Sequence, residues 1–131
     1  CDIYTKSYDV SKYMRYSDWS TLDKIGENLP IEPGLFQIRV REGLLTYPKG
    51  KTAMFYYGYA SNLKHGLLKF RENILPLLEA NEDALYVRWM PADKVEERFQ
   101  NYLNSFLTNF GAMPLGNEML LRKRRNQIHP S

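Results

Sequence analysis

The side chains in this chain that could act on a phosphate are cations and tyrosines. Arg39 and Arg41 alternate along one apolar stretch and Arg88 lies in another; Lys64, His65, Lys69 and Arg71 follow within a third segment, and Arg122, Lys123, Arg124 and Arg125 form a run near the end. Guanidinium and ammonium groups hold phosphate oxygens by charge-assisted hydrogen bonds, and Tyr56, Tyr57 and Tyr59 add phenols that can stack, donate or accept. Each has an ordinary reading as well. His65 beside Lys64 reads as a solvated residue of a helix surface, as does His129 in the tail. Glu96 and Glu97 read as a solvated pair near a helix start. The basic run, four of the 18 cations, reads first as a solvated helix end that complements the helix dipole, with a polyanion contact as the second reading.

Composition sets the frame for these candidates. A chain of 131 residues, 44% hydrophobic, makes one domain that buries about two thirds of its unfolded surface. No apolar run approaches the roughly 18 residues of a membrane span, and the start carries no apolar leader region, so no membrane partner is expected. Cys1 is the one cysteine, which excludes an internal disulfide and a multi-cysteine metal site; together these point to an intracellular protein, nuclear or cytoplasmic. A net charge of +3 and a pI near 9.0 favour phosphate backbones over acidic partners.

Elements that could position the candidates can be read from periodicity. Residues 1–19 carry Tyr4, Tyr8, Tyr13, Tyr16 and Trp19, too aromatic for a linker, and are expected to pack on the body. Residues 20–28 read as a short helix capped by Ser20, and Pro30 and Pro33 hold the chain extended after it. Residues 35–45 alternate Leu35, Gln37, Arg39 and Arg41 against Phe36, Ile38 and Val40, a strand with one polar face. A turn with Pro48, Lys49 and Gly50 leads to a second strand over 53–59. From Ser61, taken as cap, Leu63, Leu67, Phe70, Ile74 and Leu78 have helical spacing, with Pro76 ending or kinking the helix near Leu75. Residues 84–90 are a third strand. A long helix opens after Pro91, carries Val95, Phe99, Tyr102, Phe106 and Phe110 as its stripe and ends at Gly111; residues 118–125 add a short last helix. The expected fold is α/β in the α+β sense, a small three-stranded mixed or antiparallel sheet flanked by helices, with residues 1–30 as an extension, 31–117 as the core and 118–131 as a basic tail.

Pro33-Gly34-Leu35-Phe36-Gln37-Ile38-Arg39, then Tyr56-Tyr57-Gly58, then Ala60-Ser61-Asn62-Leu63, and finally Phe110-Gly111 with Pro114-Leu115-Gly116-Asn117 resemble, in order, the motifs of the GIY-YIG nuclease domain over about residues 31–117. The resemblance implies a metal-dependent phosphodiesterase scaffold. It assigns Gly34, Gly58 and Asn117 structural places and the reacting places to Phe36, Tyr56, Gly66 and Leu103 or Asn104. Two tyrosines near the nucleophile, a helix arginine against the developing charge and a glutamate holding one divalent cation are what the family uses there. Here the first tyrosine is Phe36, the arginine position falls on Gly66, and the glutamate position on Leu103 or Asn104, so no metal or other cofactor is expected. Lys64, His65 or Arg71 could stand in as a displaced cation, without an arginine's bidentate geometry at that place.

The resemblance further implies that Arg39, Arg41, Lys64, Lys69 and Arg88 rim one concave face over a floor including Tyr56, with Tyr57 packing behind. The reading is a catalytically inactive module binding nucleic acid, DNA ahead of RNA, through its backbone. The alternatives are a protein-interaction or structural module on the same scaffold, and a divergent metal-dependent endonuclease. The oligomeric state is left open.

Overall fold

The computed structural model describes residues 15–25 and 29–128. Their order is β1 (Ser20–Thr21), a 3-10 turn (Leu22–Lys24), β2 (Gly34–Val40), β3 (Leu45–Tyr47), β4 (Gly50–Thr52), β5 (Met54–Ala60), α1 (Leu63–Lys69) running into a π-helical turn (Phe70–Ile74), β6 (Leu85–Pro91), α2 (Val95–Phe110) and α3 (Leu115–Ile128). Strands β1, β6, β2 and β5 form one sheet in that spatial order, antiparallel throughout, and β3 and β4 form a separate hairpin. The fold is thus mixed α+β, as its periodicity implied. Among the described residues no helix is long and apolar enough to cross a membrane.

Because strand side chains alternate, β2 presents Phe36 and Ile38 to one face and Leu35, Gln37 and Arg39 to the other. The first face carries the main core. Phe36, Ile38, Tyr56 and Val87 meet Leu63, Leu67 and Phe70 of the α1 segment, and Leu22, Ile25 and Leu29 close its side. A bulge, in which Ile38 pairs with Tyr56 but Arg39 with Met54, inserts Phe55 and turns it into this core beside Tyr56. The second face is covered on its β5 side by α2: Tyr59 packs on Phe99, and Tyr57 on Tyr102 and Phe106. The α2 stripe is therefore an aromatic match to the alternate residues of β5.

Several local expectations change. Residues 20–24 are a strand pair and a 3-10 turn rather than a helix, because Ser20 and Thr21 find ladder partners in Val87 and Tyr86 and Leu22 is drawn into the core; Gly26 and Asn28 lie outside the described residues. The first long strand stops at Val40, where Glu42 and left-handed Gly43 turn the chain, and the supposed turn over 43–52 contains the β3–β4 hairpin. Asn62, not Ser61, caps α1, its Oδ1 accepting from the His65 N–H at 3.1 Å. The helix widens at Phe70 before Pro76 is reached, with the Leu75 N–H reaching the Phe70 carbonyl at 2.8 Å. The sheet has a fourth, two-residue strand and no parallel pair among the described residues, and the last helix starts at Leu115 and runs to Ile128. Gly111 ends α2 in the left-handed conformation, as its place predicted.

Candidate functional site

Arginines on alternate strand positions lie beside one another when their strands pair. Arg39 of β2 is opposite Tyr86 of β6, and Gln37 opposite Arg88, so Arg39, Tyr86 and Arg88 share the second face, next to the part that α2 covers. The segment before β1 runs along β6, with the Ser17 N–H on the Trp89 carbonyl at 2.8 Å and the Trp89 N–H on Ser17 Oγ at 3.1 Å, and lays Tyr16 and Trp19 over these residues. The outcome is an alternating ladder: Tyr16, Arg88 (4.3 Å), Trp19 (4.5 Å from Arg88), Arg39 (4.3 Å), Tyr86 (5.3 Å), Arg41 (5.4 Å), each distance from guanidinium carbon to ring centroid. Contacts of this kind are worth about 0.5–1 kcal/mol where exposed and about 2 where desolvated.

Buried Gln37 holds the inner end of the ladder, donating to the Tyr16 hydroxyl at 3.0 Å and accepting from Arg88 Nε at 2.9 Å. At the outer end exposed Arg41 donates one bond, at 2.8 Å, to the Asp83 carbonyl. Arg39 Nε is buried with no hydrogen-bond partner among the described residues. Ion pairs join Arg98 to Asp93, Arg122 to Glu118 and Lys123 to Glu79, but none of the three ladder arginines meets a carboxylate among the described residues. Three cations are thus gathered beside aromatic rings with no carboxylate partner among the described residues, and Arg41 at the outer end is exposed.

The other sequence candidates are dispersed. Lys64, His65, Lys69 and Arg71 belong to the α1 segment, across the sheet from the ladder, so the single basic rim expected around Tyr56 does not form. Arg71 is a structural residue: its guanidinium donates to the carbonyls of Ile25 at 3.1 Å and Leu22 at 3.5 Å, tying the 3-10 turn to the helix. Arg122 and Lys123 lie on α3 in surface ion pairs, at a third location; Arg124 and Arg125 continue that helix.

The positions that the family resemblance assigns to chemistry divide likewise. Tyr56 is only 7% exposed and packs on Phe36 and Phe70, with ring centroids at 6.1 and 4.7 Å. It lines the core rather than an open cleft. Gly66 faces the same side, where a Cβ would land on the Cβ of Ala60, so this glycine lets α1 approach β5 and leaves no room for an arginine side chain. Leu103 and Asn104 are on α2, which packs on the opposite face through Phe99, Tyr102 and Phe106, and Asn104 is exposed. No group of three or more His, Cys, Asp or Glu among the described residues could hold a metal ion.

Asn117 does have a defined task. As the outer strand of the sheet, β5 would expose unpaired backbone, and the Asn117 amide imitates the missing strand: Oδ1 accepts from the Tyr57 N–H and Nδ2 donates to the Tyr57 carbonyl, both at 2.9 Å. Gly116 permits the approach, since a Cβ there would lie 2.9 Å from the Phe55 carbonyl oxygen. Gly58 makes space for the Phe36 ring across the strand pair, and Gly34 for Leu63. Tyr47 completes the joint, donating to the Met54 carbonyl and accepting from the Leu115 N–H, each at 2.9 Å. Burial pushes the Tyr16, Tyr47 and Tyr57 phenols above their ordinary range; a hydrogen bond with Tyr102 raises Tyr16 further, while the Leu115 N–H partly offsets the effect at Tyr47.

Reading the sequence alone missed Tyr16, Trp19, Tyr86 and Gln37 as parts of the site. Tyr86 and Gln37 had a signal, the i, i+2 alternation with Arg88 and Arg39. Tyr16 and Trp19 had only their place in the aromatic stretch expected to pack on the body, because where they pack depends on the pairing of β1 with β6. Comparison with protein-family models, with curated proteins and with solved structures finds no match to this chain.

Proposed function

We propose that this chain is a nucleic-acid-binding module that holds backbone phosphates on the Arg39, Arg41 and Arg88 face without cleaving them. The observation that carries this reading is the ladder: three guanidiniums stacked on Trp19, Tyr86 and Tyr16, with no carboxylate among the described residues to neutralise them. Burial of a cation costs free energy, and a protein that concentrates cations this way gains from an anionic partner. The scaffold is read as GIY-YIG-like on its motif order, with the family's reacting positions turned to packing. Such a module works where nucleic acid is found, in the nucleus or the cytoplasm.

The test is fluorescence anisotropy of labelled DNA and RNA across a salt series from about 50 to 200 mM, where each neutralised phosphate adds nearly one unit to the slope of log affinity against log salt. Wild type is expected to show a slope of about two on single strands to three on duplex for the three arginines, falling by about 0.7–0.9 in Arg41→Ala. A protein that does not bind at the lowest salt, or a slope unchanged in that variant, would overturn the reading.

A second reading, a protein-interaction module, is favoured by one feature. A groove of about 450 Å³ between β3 and the α2–α3 corner is lined by Leu45, Pro48, Leu107, Met113 and Leu115, and Leu107 and Leu115 on its walls are 47% and 41% exposed. Loss of nucleic-acid binding together with specific capture through this groove would establish it.

A further inference from the structure

We infer that the ladder is selective for single-stranded nucleic acid over duplex, a specificity that rests on the polyanion reading above. Two of its three cations, Arg39 and Arg88, are only partly exposed. Each guanidinium is held beside a ring, and the ladder lies on β2 and β6, which are both flanked by other strands. Sequence reading of duplex DNA needs an element that enters a groove, a helix or a two-stranded ribbon, which centrally placed strands cannot supply. The helix beside the ladder is also poorly suited to a second backbone. Along α2 the charged residues are Glu96, Glu97 and Arg98, and Arg98 is already paired with Asp93 at 3.0 Å. A second row of phosphates lying over α2 would meet net negative charge.

A single strand fits what remains. Arg39 lies in β2 and Arg41 just beyond its end, and both reach the Tyr86 ring, at 5.3 and 5.4 Å, so neighbouring phosphates of one strand can meet the pair. The ladder is closed at its inner end, where Tyr16 packs with Leu35, Met90, Ala92, Phe99 and Tyr102, and ends outward at exposed Arg41. An unpaired base can stack on that terminal guanidinium plane as the next rung, whereas a base within a duplex already has neighbours on both its faces. Stacking supplies sequence-tolerant energy to sheet-based single-strand binders in the same way.

The experiment compares oligothymidine of about 12 nucleotides with its duplex on oligoadenosine, by anisotropy at equal salt, using wild type, Arg41→Ala and Arg39→Lys. The single strand is expected to bind about tenfold tighter, with quenching of Trp19 emission that disappears in Trp19→Phe. Arg41→Ala, which removes an exposed guanidinium with its one bond to the Asp83 carbonyl and its contact with Tyr86, should reduce that preference, and Arg39→Lys should weaken single-strand binding while keeping the charge. Circular dichroism verifies that each variant is folded. Duplex binding as tight as single-strand binding, with the same dependence on Arg41, would overturn the selectivity and leave the polyanion reading in place. Absence of binding to either would overturn both, and single-strand binding indifferent to Arg41 and Arg39 would remove the ladder from the site.

Discussion

Replacing Asn117 by alanine tests whether the outer strand is secured by one side chain. Two bonds of 2.9 Å are lost, to the N–H and the carbonyl of Tyr57, and Asn117 itself is 8% exposed, so the freed groups are only partly rehydrated. A made hydrogen bond contributes about 1 kcal/mol net, and a buried group left without a partner costs about 1–3 kcal/mol; half-buried Tyr57 places the total at about 2–3 kcal/mol. For a chain of this size that corresponds to a fall in Tm of roughly 6–10 °C. Urea titration followed by circular dichroism should show a lower midpoint at unchanged slope, and amide exchange at Tyr57 should accelerate. Asn117→Asp is the sharper control. It retains the acceptor for the Tyr57 N–H but sets a carboxylate against the Tyr57 carbonyl, so it should be no more stable than the alanine variant. An Asn117→Ala protein within about 0.5 kcal/mol of wild type, or an Asn117→Asp protein equal to wild type, would refute the edge-clamp account.

Two other outcomes follow from packing and titration. Gly66→Leu should destabilise the fold by about 1–3 kcal/mol, since its side chain must push α1 away from Ala60, and Ala60→Gly in the same chain should restore part of the loss; a stabilised Gly66→Leu protein in urea titration would show that the close approach is unimportant. Tyr16, Tyr47 and Tyr57 have folded-state phenols raised above their unfolded value, so the stability they protect is complete below about pH 10 and declines as pH rises above it; phenolate absorbance and circular dichroism should change together in that range, and Tyr16→Phe should shift the transition to higher pH.

How much could be read from the chain depends on which forces act locally. The three long strands, α2 and its Gly111 terminus follow from alternation, helical period and a left-handed cap, each contained within a few residues. Residues 20–24 did not follow, because Ser20 as a cap and Ser20 as a ladder residue look alike until β6 is beside it. Gly66 illustrates the same limit at the candidate site. As one letter in a motif it reads as a deleted arginine; in space it is the point where a helix meets a strand. Arg39 and Arg88 were recognisable as binding candidates, yet their grouping with Trp19 rather than with Lys64 and Lys69 required knowing which face of the sheet each helix covers.

That division between faces bears on what the chain can do. Phosphodiester cleavage in the way that the family resemblance implies needs a nucleophile, a charge-stabilising arginine and a carboxylate-held divalent cation gathered at the same phosphate. Here the places that the family resemblance assigns to them are split by the sheet: Tyr56 and Gly66 face the α1 core, and Leu103 and Asn104 ride on α2. Substituting arginine at 66 and glutamate at 103 would therefore put the two groups on opposite sides of the sheet instead of rebuilding a centre. Binding makes a weaker demand. It sums contributions along a surface, and Arg88, Arg39 and Arg41 line one face in that order, each within 4.3–5.4 Å of a ring centroid. The cations that the proposed binding would use are the ones set beside rings on β2 and β6, whereas Lys64 and Lys69 belong to the α1 segment on the other face of the sheet.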